Sequence, residues 1–331
     1  MNLFSVTSPF QYICAIEAKA HYKTKNNILL LVEQASELGL SQQEKIVKKS
    51  EWDYVITIPR TDRTRNLPKA IKKIRLITQE RNIEHFFHAE YNGWRTKLLL
   101  KNLPISKEVY FDDGTLTINE YEEVIRNKAT YSRKRFFNDS LLRLQGIIPI
   151  GELPQSNNLE LFTLFDIYEP AHPIVKNRFQ ELSHKYNISA TYPNTNTVGF
   201  IGQGAIGHKN QKSESQYLNE VIKFCQQHEH IVYFPHRTES TELKEKIQTI
   251  SNLTYHQSEY PLEIEILEKN LALSKLVGTN STVLFTAKLI FPEMEIFYVP
   301  PNTDGYSEKN RLRNERIVQY LDRAGVKEAN T

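Results

Sequence analysis

With 331 residues, 40% hydrophobic and 24% charged side chains and only 12 Gly and 14 Pro, the chain can build two ordinary globular cores and carries neither fibre nor disorder bias. Its net charge of +3 is too small to require a nucleic-acid partner, and two cysteines far apart, Cys14 and Cys225, exclude a disulfide framework and suit a reducing compartment. Residues 1–6 lack a basic n-region and are followed by Ser8-Pro9, and apolar runs such as 28–32 fall far short of the ~20 residues that span a bilayer. A cytoplasmic protein is expected, free or resting on the inner face of the membrane.

Short apolar runs alternate with amphipathic segments, the rhythm of a mostly parallel α/β sheet. Strands are predicted at 3–6, 28–32, 54–58, 83–89 and 107–111, with helices at 12–22, 41–50, 67–81 and 93–102 and a loop at 8–11. Residues 119–150 are rich in Arg, Lys and aromatics, and 126–143 form a basic stretch able to rest on anionic lipid. Periodicity weakens over 151–195, where punctuation ending in Pro193-Asn194 predicts the domain boundary. The pattern then restarts, with strands at 198–201, 231–234, 275–278 and 295–299. Helices follow at 215–228, 239–251, 264–274, 282–291 and 311–324. The domains predicted are 1–175 and 176–316, with 317–331 as a closing helix end and tail.

Chemistry is expected beyond the carboxyl ends of the strands, where open α/β sheets place their ligands. The run 107–111 ends there in Asp112-Asp113-Gly114. Adjacent carboxylates repel, so one should bind a proton more tightly and become an acceptor near neutral pH, whereas Asp-Gly by itself is also a common turn. His236 ends strand 231–234 at the equivalent place in the second half and can donate to, or protonate, a leaving phosphate. Gly202-Gln203-Gly204-Ala205-Ile206-Gly207 fits the spacing of a dinucleotide loop. The following helix is delayed, however, and the next strand ends in Pro235-His236-Arg237 instead of an acidic residue, which argues against NAD. Asn280-Ser281-Thr282 opens a helix as a cap or an anion site, and Glu263 is a candidate partner for ribose hydroxyls. His85 and His88 fall on a strand at a spacing that points them to opposite faces. No metal-ligand spacing and no serine-nucleophile motif occurs, so neither a metal nor another cofactor is expected.

In their order and placement these motifs resemble the bacterial sialyltransferases, especially the lipooligosaccharide sialyltransferase family and its capsule polysialyltransferase relatives. The family's two-acid-glycine motif matches Asp112-Asp113-Gly114, its His-Pro motif matches His236 followed by Arg237 in place of proline, and its Ser-Ser/Thr motif matches Ser281-Thr282. The segment 198–203 is similar to the family's opening of the second domain. The resemblance covers nearly the whole chain.

It implies the GT-B architecture, two Rossmann-like domains facing across a cleft, and an inverting, metal-independent transfer of sialic acid or a related nonulosonic acid from a CMP donor to lipooligosaccharide or capsule glycan. Asp112 would be the general base, with Asp113 and Gly114 shaping its turn. His236 would meet the leaving phosphate, and Ser281 and Thr282 would bind it together with Asn280. Glu263 would hold the ribose. Gly202, Gln203, Gly204 and Arg237 would complete the nucleotide site, while Ser8, Pro9 and Gln11 would lie on the acceptor side. Arg237 in place of the family's proline bears on the cytidine pocket. The partners implied are the donor and a glycan or glycolipid acceptor; the basic composition of 126–143 adds an expected contact with the inner membrane surface, no nucleic acid is expected, and a homodimer is left open. A hexose donor on the same fold, or a non-catalytic protein that binds acidic glycan or lipid, is the alternative.

Overall fold

A computed structural model describes residues 1–186, 195–204, 206–208, 212–301, 303 and 306–329. Ala205 of the glycine-rich stretch, Pro193-Asn194 of the expected linker and the final Asn330-Thr331 lie outside the described residues. The chain divides into two compact units, Met1–Leu182 and Ser183–Thr331.

The first unit begins with β1 (Asn2–Val6), α1 (Pro9–His21), β2 (Asn27–Val32), α2 (Glu37–Ile46), β3 (Tyr54–Ile58), α3 (Arg63–Thr78), β4 (Ile83–His88), α4 (Trp94–Asn102), β5 (Ile105–Phe111) and α5 (Leu116–Glu120). It continues with β6 (Tyr131–Arg133), α6 (Phe136–Leu144), β7 (Gly151–Leu153), β8 (Leu159–Thr163) and β9 (Ile174–Lys176). α7 (Gln180–Lys185) runs through the unit boundary. Seven strands form one sheet in the order β3-β2-β1-β4-β5-β8-β9, every pairing parallel. The register sets Leu3 between Ile28 and Phe86. A parallel sheet is covered on both faces, which explains why β1 and β2 are buried at every position. One face packs Leu3, Ile28 and Leu30 against Leu67, Ile71 and Ile74 of α3; on the other, Phe4 stacks on Phe87 with centroids 4.2 Å apart.

The second unit contains β10 (Thr197–Ile201), α8 (Glu214–Cys225), β11 (His230–Phe234), α9 (Thr241–Gln248), β12 (Leu253–Tyr255), α10 (Leu262–Glu268), β13 (Lys275–Gly278), α11 (Thr282–Ile290), β14 (Glu295–Tyr298), α12 (Glu308–Arg323) and β15 (Lys327–Glu328). Its sheet, again all parallel, runs β12-β11-β10-β13-β14-β15. Both sheets therefore reverse direction beside their first strand, between β1 and β4 and between β10 and β13, and such switch points are where α/β folds bind ligands.

Serine starts four helices of the second unit. Ser213, Ser240, Ser281 and Ser307 each accept a backbone N–H of the helix that follows, and Ser213 with Gln216 completes a capping box. The same device corrects the predicted loop at 8–11: Ser8 accepts the Gln11 N–H at 3.2 Å and Pro9 takes the first turn, so α1 begins at Pro9.

The predicted boundary at 175 falls inside β9, the last strand of the first unit's sheet, whereas the two units divide after Leu182. Residues 151–182 add β7, β8, β9 and the start of α7, whose short runs are interrupted by turns. Buried Glu17 of α1 accepts the N–H of Glu181 at 3.1 Å and of Leu182 at 2.8 Å, which ties the first turns of α7 to this unit. The helix predicted at 264–274 stops at Glu268, and β12 and β15, three and two residues long, were too short to register as apolar runs. Among the described residues no helix is long and apolar enough to cross a membrane.

Candidate active site

In the first unit the side chains converge at the carboxyl ends of β1, β4 and β5. Gly114, at φ 67, makes the turn after β5. The turn sends the two aspartates in opposite directions. Asp112 goes into the interior: it is 0% exposed, Oδ1 accepts the Thr163 hydroxyl at 2.6 Å, and Oδ2 accepts the Leu164 N–H at 2.8 Å. Burial pushes its carboxyl up to about 7 against the opposing pull of these hydrogen bonds.

Asp113 goes outward and lines an open pocket of about 300 Å³ together with Glu90, Trp94, Arg63, Arg95 and Glu120. Its Oδ1 accepts Gln11 Nε2 at 2.8 Å, and the Gln11 Oε1 in turn accepts the Thr7 N–H at 2.8 Å, which fixes which way the amide points. The expected base, Asp112, is thus the inaccessible member of the pair in this conformation. Of the expected acceptor-side residues, Gln11 reaches Asp113 directly, while Ser8 and Pro9 serve by starting α1.

Apart from Asp113, the residues lining this pocket carried no sequence signal. Glu90 accepts the Thr7 hydroxyl at 3.0 Å, and Gly93 sits so close to it that a β-carbon there would meet Glu90 Cβ at 2.8 Å. Glu120 accepts the Tyr110 hydroxyl at 2.8 Å and the Asn92 N–H at 3.2 Å, and burial raises its proton affinity. Arg63 lies over the Trp94 ring, 5.5 Å from its centroid. Arg95 donates to the Arg60 carbonyl at 2.9 Å, and its Nε has no hydrogen-bond partner among the described residues. Carboxylates, guanidinium groups and an indole around one opening offer acceptors, donors and an apolar face to a hydroxyl-rich ligand. Behind the pocket, His88 pairs with Glu108 at 2.8 Å, both buried, while His85 contacts Asn2 at 3.0 Å, so the two histidines do separate as strand geometry requires. Among the described residues no cluster of three or more His, Cys, Asp or Glu side chains could hold a metal.

In the second unit, Gly202-Gln203-Gly204 leaves β10 directly beneath the turn that follows β11. A β-carbon on Gly202 would come 2.7 Å from Tyr233 Oη and 2.9 Å from the His236 nitrogen. The glycines are thus explained by the close approach of His236. That histidine accepts the Thr238 N–H at Nδ1, 3.2 Å away, with the Thr238 hydroxyl 2.8 Å from the same nitrogen. A lone pair at Nδ1 puts the proton of the neutral ring on Nε2, leaving Nε2–H to donate. Burial first, and the neighbouring Arg237 second, lower its proton affinity and favour the neutral ring.

The loop is braced from below. The Gln203 N–H donates to the Tyr217 hydroxyl at 3.1 Å, Tyr217 and Tyr233 hydroxyls meet at 3.0 Å, and Tyr233 and Tyr255 both donate to Glu239.

On the neighbouring strand β13, Gly278 packs on Ile201, and Ser281 caps α11 by accepting the Val283 N–H at 3.3 Å. Thr282 opens that helix. Asn280 Nδ2 donates to Asn314 of α12. Arg237 is exposed. Glu263 is 4% exposed and accepts the Thr286 hydroxyl at 3.0 Å, so it ties α10 to α11 in this conformation instead of standing open to a ribose.

A family model described as alpha-2,8-polysialyltransferase matches residues 2–300. The chain belongs to the alpha-2,8-polysialyltransferase family. No curated protein matches it by sequence. Among solved structures it is similar to an alpha/beta-galactoside alpha-2,3-sialyltransferase from Photobacterium phosphoreum, at 14% identity over 99% of this chain and 97% of that one, with a TM-score of 0.50. It is also similar to S. aureus MnaA bound to UDP, at 12% identity over 98% and 91% of the two chains, with a TM-score of 0.51. These likenesses show the fold, two Rossmann-like units of the GT-B kind, and family membership makes the chain a glycosyltransferase that works with a nucleotide-sugar donor and a glycan acceptor.

Proposed function

We propose that the protein transfers sialic acid or a related nonulosonic acid from a CMP donor to a cell-surface glycan, with inversion and without a metal, at the cytoplasmic face of the membrane where such acceptors are built. The observation that carries this reading is the His236 tautomer. A neutral imidazole with Nε2–H available, packed on a glycine loop, suits a leaving phosphate monoester, and the serine-capped start of α11 follows a strand two places along the same sheet.

The acceptor hydroxyl oxygen forms the new bond to the anomeric carbon as the bond from that carbon to the CMP phosphate breaks. The hydroxyl proton passes to a carboxylate of the first unit, and the electron pair leaves with CMP. Attack from the side opposite the leaving group inverts the centre. His236 and the α11 N-terminus stabilise the charge that collects on the phosphate, so the step needs no cation.

The base belongs to the Asp112–Asp113 pair. Asp113 is the member an acceptor hydroxyl reaches without rearrangement, and Asp112 supports the turn from inside unless it leaves Thr163 and Leu164. The Trp94, Arg63 and Arg95 side chains beside Asp113 form the acceptor's seat.

CMP at about 100 times its Kd should stabilise the protein by about 2.7 kcal/mol, read as a rise in Tm, whereas UDP and NAD should not. Absence of a CMP-dependent shift overturns the CMP reading. Release of another nucleotide from a panel of sugar nucleotides overturns it in favour of a different donor.

A further inference from the structure

The basic stretch at 126–143 separates into two parts in the fold. Arg126 is engaged internally, chelating Glu122 at 2.7 and 2.9 Å and donating to the Tyr168 and Glu169 carbonyls. α6 buries only Leu142, yet Phe136 and Phe137 are each 82% exposed and Leu144 is 85% exposed. Leu141 and Ile148 extend the apolar surface. Native folds seldom expose two adjacent phenylalanines and a leucine on one short helix without something to cover them.

Charge identifies the cover. Arg133, Lys134, Arg135 and Arg143 flank these apolar groups along the chain, and Asp139, whose carboxylate accepts the Arg135 N–H at 3.0 Å, is the one acidic residue from 131 to 148. α6 packs beside α3 through Leu142, which joins the cluster of Leu67, Ile71 and Ile74, and Gln145 Nε2 donates to the Thr64 carbonyl at 3.1 Å. α3 has no acidic residue in its length, and its outer side presents Arg65, Lys69, Lys72 and Lys73 with Leu76. Aromatic and leucine side chains flanked by cations match the interface of an anionic bilayer, apolar groups entering the acyl boundary and cations resting at the headgroups. A soluble polyanion would meet the cations but would leave the phenylalanines in water.

We propose that α6 and the outer side of α3 form a docking surface for an anionic phospholipid membrane, with Phe136, Phe137 and Leu144 as the inserting groups. The full chain is sedimented with vesicles of phosphatidylcholine and with vesicles containing about one-third phosphatidylglycerol. Binding is expected only to the anionic vesicles and should weaken with salt. Phe136→Ser with Phe137→Ser, and separately Lys134→Glu with Arg143→Glu, should each reduce partitioning about tenfold. Because these side chains are exposed, the Tm of both variants should stay that of the parent.

Three results overturn the proposal: no binding to anionic vesicles, binding that the phenylalanine substitutions leave intact, and a dimer in gel filtration that those substitutions dissolve. The last assigns the surface to a second copy of the chain.

Discussion

Gly204 lies against the imidazole of His236 so closely that a β-carbon at 204 would come 2.7 Å from Cε1 and 2.9 Å from each ring nitrogen. The ring cannot keep its place beside a larger residue. Gly204→Ala is expected to displace His236, lower kcat at least tenfold and leave Tm within a few degrees, because the contact is with a loop side chain and not the core. Nucleotide release with donor and acceptor present measures the first effect, and thermal melting the second. Parent-like turnover in the alanine variant would show that the His236 position does not matter.

Removing the imidazole itself should cost more. His236→Ala is expected to reduce kcat by roughly 10²–10⁴, the range for a lost proton donor. His236→Gln, which keeps an N–H, should recover part of the loss. Equal activity of the two variants speaks against hydrogen-bond donation.

The two aspartates are separable by experiment. Asp113→Asn should abolish transfer by a factor of roughly 10²–10⁴ while preserving the CMP-induced rise in Tm, since the residue lies in the first unit's pocket. If the base is instead Asp112, the activity of the parent must fall as pH drops through about 7, where burial holds that carboxyl, and Asp112→Asn must remove turnover with Asp113 intact.

Asp112 also leaves a mark on stability. Its affinity for a proton is higher in the folded chain, about 7 against an ordinary 3.8. Between those values the native state holds a proton that the unfolded state has released, so this group lowers stability as pH rises from about 4 to 7. Melting temperatures should decline through this term from pH 5 to about 7 and level off above it, and Asp112→Asn should flatten the decline. A slope unchanged by the substitution refutes the assignment.

Ser8→Ala removes the cap of α1 and is expected to cost about 1 kcal/mol by urea unfolding. Gln11 lies in the same first turn, so the variant should also weaken turnover by loosening the hydrogen bond to Asp113.

Much of the architecture was legible because buried parallel strands read as unbroken apolar runs and serines sit before four helices of the second unit. The strands at 159–163 and 174–176 were not legible, since each is short and lies between turns, and the sheet neighbour that gives it meaning is distant in sequence. The acid pair was visible as a motif, but its division was not. Adjacent residues at a strand end face opposite ways, and only the placement of Thr163, fifty-one positions away, shows which one turns inward. The glycines at 202 and 204 suggested a dinucleotide loop by spacing, whereas their physical cause is the nearness of the Tyr233 hydroxyl and the His236 backbone and ring. Trp94 and Arg95 gave no signal because a helix start rich in such residues is ordinary on a surface.

The clamp of Glu17 on the amides of Glu181 and Leu182 has a dynamic consequence. Those two N–H groups lie at the start of a short helix, where deuterium uptake is ordinarily fast, but their acceptor is a carboxylate on the helix that follows the first strand. Opening them requires the Glu17 contact to break, so their exchange should be slower than at a helix start without such a partner, and two amides at the far end of the first unit report on a contact made by its first helix.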